Sequence, residues 1–146
     1  MKACTFFGHR DTPEKAEASL RMALIHLIEH HNASLFYVGN QGNFDRMVRK
    51  VLKQLQLIYP HISYYVVLAY LPCSFQEGYG DTIYPDGLER IPPRFAIDKR
   101  NRWMLDRCDY VITYVEYPFG GAAKFKALAE KRGKTVINLP SFSALQ

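Results

Sequence analysis

Four short clusters in this 146-residue chain carry residue types suited to anions: Gly8-His9-Arg10, Gly39-Asn40-Gln41-Gly42 with Asp45, Arg100-Asn101, and Gly120-Gly121. Arginine offers a planar guanidinium that pairs bidentately with phosphate. Glycines that open a helix let backbone N–H groups approach an anion without a Cβ in the way, at the helix end that carries partial positive charge. Together these groups suit a phosphate-bearing ligand, with Asp45 and Asn101 contacting a ribose or orienting the arginines. Each cluster also has a plainer use. Glycines make tight strand-to-helix connections, Arg10 could form a surface ion pair, and Asp45 could simply complement a helix dipole. Two glycine turns in equivalent places weigh more than either alone.

Other chemistries find less support. Gly39-Asn40-Gln41-Gly42 is not a GxGxxG fingerprint and no GxxxxGK[ST] run exists, so neither a dinucleotide motif nor a P-loop is present. Cys4, Cys73 and Cys108 are widely spaced with no CxxC pair, which argues against a disulfide framework or a zinc site. Spacing alone supports no Ser-His-Asp or Cys-His arrangement. His26 and His30 have metal-ligand spacing but no further ligand nearby, and a favourable charge near a helix C-terminus is the better reading. No metal and no cofactor are expected. Trp103 reads as core or interface. Nineteen Lys and Arg against fourteen Asp and Glu give a net charge of +5, which favours phosphorylated small molecules and nucleic acid alike.

The elements that must position these clusters alternate between strands and helices. In Lys2 to Phe7 the apolar residues run together and do not alternate, as in a strand buried on both faces. Thr12 or Asp11 can cap a helix from about Pro13 to His31, stopped near Asn32. Leu35 to Val38 forms a second strand, and Phe44, Met47, Val48, Val51, Leu52 and Leu55 stripe one face of the next helix. Ile62 to Leu71 reads as a third strand. From about residue 72 to 95 no period survives, so this stretch is expected to be a long irregular insertion. Its Phe75, Glu77, Tyr79, Asp81 and Tyr84 could cover a ligand. A helix over Ile97 to Arg107, a strand at Tyr110 to Val115, a helix from Ala122 with Gly133 as its C-cap, and a fifth strand at Thr135 to Leu139 complete the pattern.

This alternation predicts an α/β protein, a Rossmann-like three-layer α/β/α sandwich with a mostly parallel sheet of about five strands, in one domain over residues 1–146. In such sheets ligands sit beyond the carboxyl ends of the strands, where the strand order reverses. The loops expected at those ends hold the clusters at Gly8, Gly39 and Gly120. The first apolar stretch is too short for a signal peptide and no stretch reaches membrane-spanning length, so no membrane partner and a cytoplasmic setting are expected.

Taken in order, Phe7-Gly8-His9-Arg10, Val38-Gly39-Asn40-Gln41-Gly42-Asn43-Phe44-Asp45, Arg100-Asn101-Arg102-Trp103-Met104-Leu105-Asp106-Arg107-Cys108-Asp109 and Gly120-Gly121 resemble the YpsA-like group of the SLOG superfamily. That superfamily also holds the DprA single-strand DNA-binding proteins and the LOG phosphoribohydrolases. The likeness runs over nearly the whole chain, and GHR and RNxWMxDxxD are its most specific parts. It implies a Rossmann-like fold with a pocket for a nucleotide or phosphoribosyl-type small molecule, in a sensor or divergent enzyme. It also implies a possible homo-oligomer, with the Trp103 helix as a contact. Two departures stand out. Asn40 and Gln41 replace small residues of the family's GGAxGxD pattern. The LOG run PGGxGTxxE reads Phe119-Gly120-Gly121-Ala122-Ala123-Lys124-Phe125-Lys126-Ala127, so Ala127 replaces the expected carboxylate. Two alternatives follow: an N-glycosidase or nucleoside monophosphate phosphoribohydrolase that uses Asp45 or Glu116, and a DprA-like module for single-stranded nucleic acid.

Overall fold

The computed structural model describes residues 2–71 and 80–142. In chain order the elements are β1 (Lys2–Gly8), α1 (Ala16–His30), β2 (Ala33–Val38), α2 (Gly42–Gln56), β3 (Ser63–Val67), β4 (Thr82–Ile83), α3 (Ala96–Asp106), β5 (Tyr110–Tyr114), α4 (Gly121–Lys131) and β6 (Thr135–Asn138). They form a six-stranded sheet of order β4-β3-β2-β1-β5-β6 in which every ladder is parallel. The chain walks outward from β1 to β4, then returns to place β5 on the other side of β1. The strand order therefore reverses between β1 and β5.

Side chains of successive strand residues point to opposite faces, which sorts the apolar run of β1 into two cores. Cys4 and Phe6 pack with Phe36, Val38, Val66 and Ile112 beneath α1 and α2. Phe7 packs with Val67 and Val111 beneath α3 and α4, against Met104, Leu105, Phe125 and Ala129. The stripe of α2 is buried at all six expected positions. This is the three-layer arrangement expected from the sequence.

Three local features differ from expectation. The sheet has a sixth strand, β4, contributed by the irregular segment. It is only two residues long, too short to carry a period, and is held by Val66 N–H to the Asp81 carbonyl at 2.9 Å and Leu68 N–H to the Ile83 carbonyl at 2.8 Å. β3 ends at Val67, short of Leu71. Thr12 does not cap α1: its hydroxyl donates back to the His9 carbonyl at 2.6 Å, closing the turn after β1, and α1 begins three residues later than Pro13. Asn32, at φ 60°, marks the stop after α1. Of the insertion's candidate ligand-covering residues, Phe75, Glu77 and Tyr79 lie outside the described residues, as does Cys73.

Candidate functional site at the β1–β5 switch

A cleft of about 550 Å³ opens where β1 and β5 end. Gly8, His9, Arg10 and Asp11 form its floor, Gln41 and Asp45 come from the start of α2, and Arg100, Asn101 and Met104 come from α3. Tyr117, Phe119, Gly120, Gly121 and Ala122 form the remaining wall. Nine of the twelve residues singled out in the sequence therefore line one space, and Gly39, Asn40 and Gly42 stand behind it.

Those three explain how the α2 side is built. A Cβ on Gly39 would lie 2.6 Å from Asp45 Oδ2 and 2.8 Å from Arg100 Nη1, so the glycine makes room for a carboxylate and a guanidinium rather than for a ligand. Gly42 has φ 81°, and a Cβ there would sit 2.9 Å from the Arg10 Cα; both backbone and space call for glycine. Asn40 accepts from Arg100 Nη1 at 3.5 Å. The Asp45 carboxylate accepts the Gln41 N–H at 2.9 Å, and Asn43 N–H donates to the Arg10 carbonyl at 2.9 Å. Two of the amides at this helix start are thus already bonded within the protein.

Arg100 is likewise spent largely on structure. Only 2% exposed, it donates from Nη1 to the Val67 carbonyl at 2.8 Å and from Nε to Asn101 Oδ1 at 2.9 Å, tying α3 to the end of β3. Burial lowers its pKa, and Asp45 opposes that effect. Burial raises the pKa of Asp45, opposed first by Arg100 and then by the Gln41 amide, Arg49 and Arg10. Asp45 therefore sits as a carboxyl in a poorly hydrated, cation-rich wall.

The α4 side is different. Gly120, at φ 93°, leads into the helix with no side-chain cap. The Lys124 amide is bonded to the Gly120 carbonyl at 3.1 Å. The amides of Gly121, Ala122 and Ala123 have no acceptor inside the helix, because the first turn of any α-helix lacks one. They sit at the positive end of its dipole, and Gly121 and Ala122 line the cleft together with Arg10.

His9 anchors the floor. It is 7% exposed, and its Nε2 accepts the Glu116 N–H at 3.1 Å, which places the ring proton on Nδ1. The ring stacks on Tyr117 at a centroid distance of 3.7 Å and an interplanar angle of 4°. Tyr117 in turn meets Phe119 at 4.5 Å and 30°, and its hydroxyl donates to Asp11 Oδ1 at 3.3 Å. Sequence reasoning passed over Asp11, Tyr117 and Phe119 as site residues. The usable signal was two aromatic residues flanking a proline just before a glycine turn at the ligand edge.

Other candidates fall elsewhere. His26 Nε2 and His31 Nε2 lie 3.2 Å apart, but His31 packs on Tyr110 at the start of β5, the sheet edge opposite the cleft. Among the described residues no group of three or more His, Cys, Asp or Glu could hold a metal ion. Trp103 is taken up within the chain, edge-on to Tyr37 and beneath the Arg107 guanidinium at 3.9 Å. Cys4 and Cys108 are buried, and burial pushes the Cys108 thiol up to about 12 and raises that of Cys4, as expected of inert packing residues. No helix among the described residues is long and apolar enough to cross a membrane.

The structure defines a parallel Rossmann-like α/β fold with a cleft at its topological switch point. The same fold occurs in DNA processing protein A. The Streptococcus pneumoniae protein (DprA) superposes with a TM-score of 0.69 at 17% identity, over 93% of this chain and 49% of that one. The Helicobacter pylori protein, whose structure describes a single-stranded DNA binding mode, superposes with a TM-score of 0.63 at 14% identity, over 92% of this chain and 63% of that one. This chain thus spans about half to three fifths of those proteins, and the likeness is one of fold. No family model matches the sequence, and no curated protein matches it.

Proposed function

We propose that the cleft binds a nucleotide unit of single-stranded nucleic acid. The observation that carries this reading is that the uncapped start of α4 and Arg10 line the same cleft, a set of backbone donors and a guanidinium suited to one phosphate. The net charge of +5 and the fold shared with the H. pylori single-stranded DNA binder favour a strand as the bearer of that phosphate. The test is anisotropy of a labelled single-stranded oligodeoxynucleotide titrated with the protein over a range of salt. Binding should weaken as salt rises, with a log–log slope of roughly −0.7 per phosphate neutralised. Absence of binding at low salt refutes the strand reading.

A second reading, a free nucleotide or phosphoribosyl compound bound by a sensor or divergent enzyme, is favoured by the size of the cleft. Its volume falls within the range of about 300–1,000 Å³ usual for small-ligand sites. Calorimetry with mononucleotides separates it from the first, since a free ligand would saturate the site without a strand. N-glycosidic hydrolysis is supported only by Asp45, whose raised pKa suits a general acid. Release of free base from a nucleoside monophosphate, abolished by Asp45→Asn, is the result that reading requires.

A further inference from the structure

We infer that Phe119 is the base-stacking platform of the cleft, an assignment that rests on the nucleotide reading above and specifies which part of the ligand meets which wall. Phe119 is 68% exposed, yet its ring is the outermost of three tiers built on the buried His9. The lowest tier is fixed by the Glu116 amide on His9 Nε2, and the middle tier by the Tyr117 hydroxyl on Asp11. The backbone is constrained on both sides as well. Pro118 restricts itself and the preceding Tyr117, while Gly120 turns the chain through a positive φ directly after Phe119.

An exposed apolar ring backed by a second ring suits stacking, because it keeps a face open to a planar partner. Its position narrows the partner's chemistry. Phe119 is followed at once by the glycines that open α4, and both line the same cleft. A ligand that reaches the α4 amides with an anion and Phe119 with a flat face is a planar ring joined to a phosphate through a short spacer, as in a nucleotide. Stacking reads the face of a base and not its edge, so the platform accepts all bases and favours the larger purines.

The experiment compares wild type, Phe119→Ala and Phe119→Trp by calorimetry against ribose phosphate, adenosine monophosphate and a short oligodeoxyadenosine. The Ala variant should bind whichever of the two base-bearing probes the wild type binds roughly 5- to 150-fold more weakly, and the Trp variant should restore it. Ribose phosphate, which has no base, should bind all three proteins alike. Unchanged binding of the base-bearing probes by Phe119→Ala overturns the platform and leaves the phosphate site standing. An equal loss for ribose phosphate overturns it too, because the ring would then only shape the glycine turn. A wild type that binds none of the probes overturns the nucleotide reading and the platform with it.

Discussion

The Asp45–Arg100 pair offers the sharpest test of how the cleft wall is held. Both groups crowd the same point beside Gly39, and both are buried, so the charge of each offsets part of the other's lost hydration through space. Arg100→Met removes the charge and leaves the Val67 carbonyl and the Asn101 side-chain oxygen without their donor. Leaving those buried acceptors unsatisfied should cost about 1–3 kcal/mol. Asp45→Asn keeps an oxygen for the Gln41 amide and removes the negative charge that favours the guanidinium, whose hydrogen bonds to Val67 and Asn101 remain. The double variant buries no unpaired charge. Its loss should therefore fall short of the sum of the single losses by about 0.5–3 kcal/mol, the size expected of electrostatically coupled neighbours. Acid adds a second signature. The folded Asp45 carboxyl has a pKa above its ordinary 3.8, so between those values the folded state holds more protons than the unfolded one. Stability from this group accordingly rises as pH falls through that window. Arg100→Met removes the largest influence opposing the rise, which widens the window upward, so the variant should recover part of its deficit on mild acidification. Urea unfolding across the pH range reads both effects. Single losses that add within about 0.5 kcal/mol, together with a deficit independent of pH, would refute the pairing.

Other substitutions probe the remaining walls. In Gly8→Ala the new methyl would lie 2.2 Å from Cγ of the core residue Phe44, a backbone-neutral overpacking that should cost about 1–3 kcal/mol in denaturant unfolding. Phe44→Ala in the same chain should remove most of that penalty. Arg10→Ala, at an exposed residue, should leave stability nearly unchanged and reduce the magnitude of the salt slope for strand binding by roughly 0.7. Burial pulls the Asp98 carboxyl up, but Lys124 and Arg102 outweigh it and hold its pKa below 3.8. Stability from Asp98 is therefore present above 3.8 and lost as pH falls through the lowered value. Because these groups are partly exposed, Asp98→Asn should cost under about 1 kcal/mol at neutral pH, and the difference should fade in acid.

Much of the architecture was legible because it is written in periods. The α2 stripe from Phe44 to Leu55 announces a helix and the face it buries, and the non-alternating apolar residues of β1 announce a strand buried on both faces. β4 is too short to announce anything, and its pairing depends on β3 offering an edge. The cleft was legible in its location, since strand ends and glycine turns are local signals. The use made of each residue was not. Gly39 has the appearance of a ligand-approach glycine, but what approaches it is Asp45 and Arg100, the latter from a helix some sixty residues away. The letter for arginine likewise does not distinguish exposed Arg10 from Arg100, whose donors are bonded inside. The stack on His9 joins residues more than one hundred positions apart, and no spacing rule reaches that far.

The two helix starts at the cleft differ in how much change they can absorb. On the α2 side a methyl group at Gly8, Gly39 or Gly42 meets an atom within 2.9 Å, so that wall should resist substitution across evolution whatever the ligand. On the α4 side only the positive φ of Gly120 calls for glycine; a Cβ at Gly121 meets nothing within 4 Å, and the neighbouring Phe119 stands in solvent. Divergent copies of this domain can therefore be expected to keep one wall and rewrite the other, acquiring new ligands by altering a few residues around position 119 without renegotiating the fold.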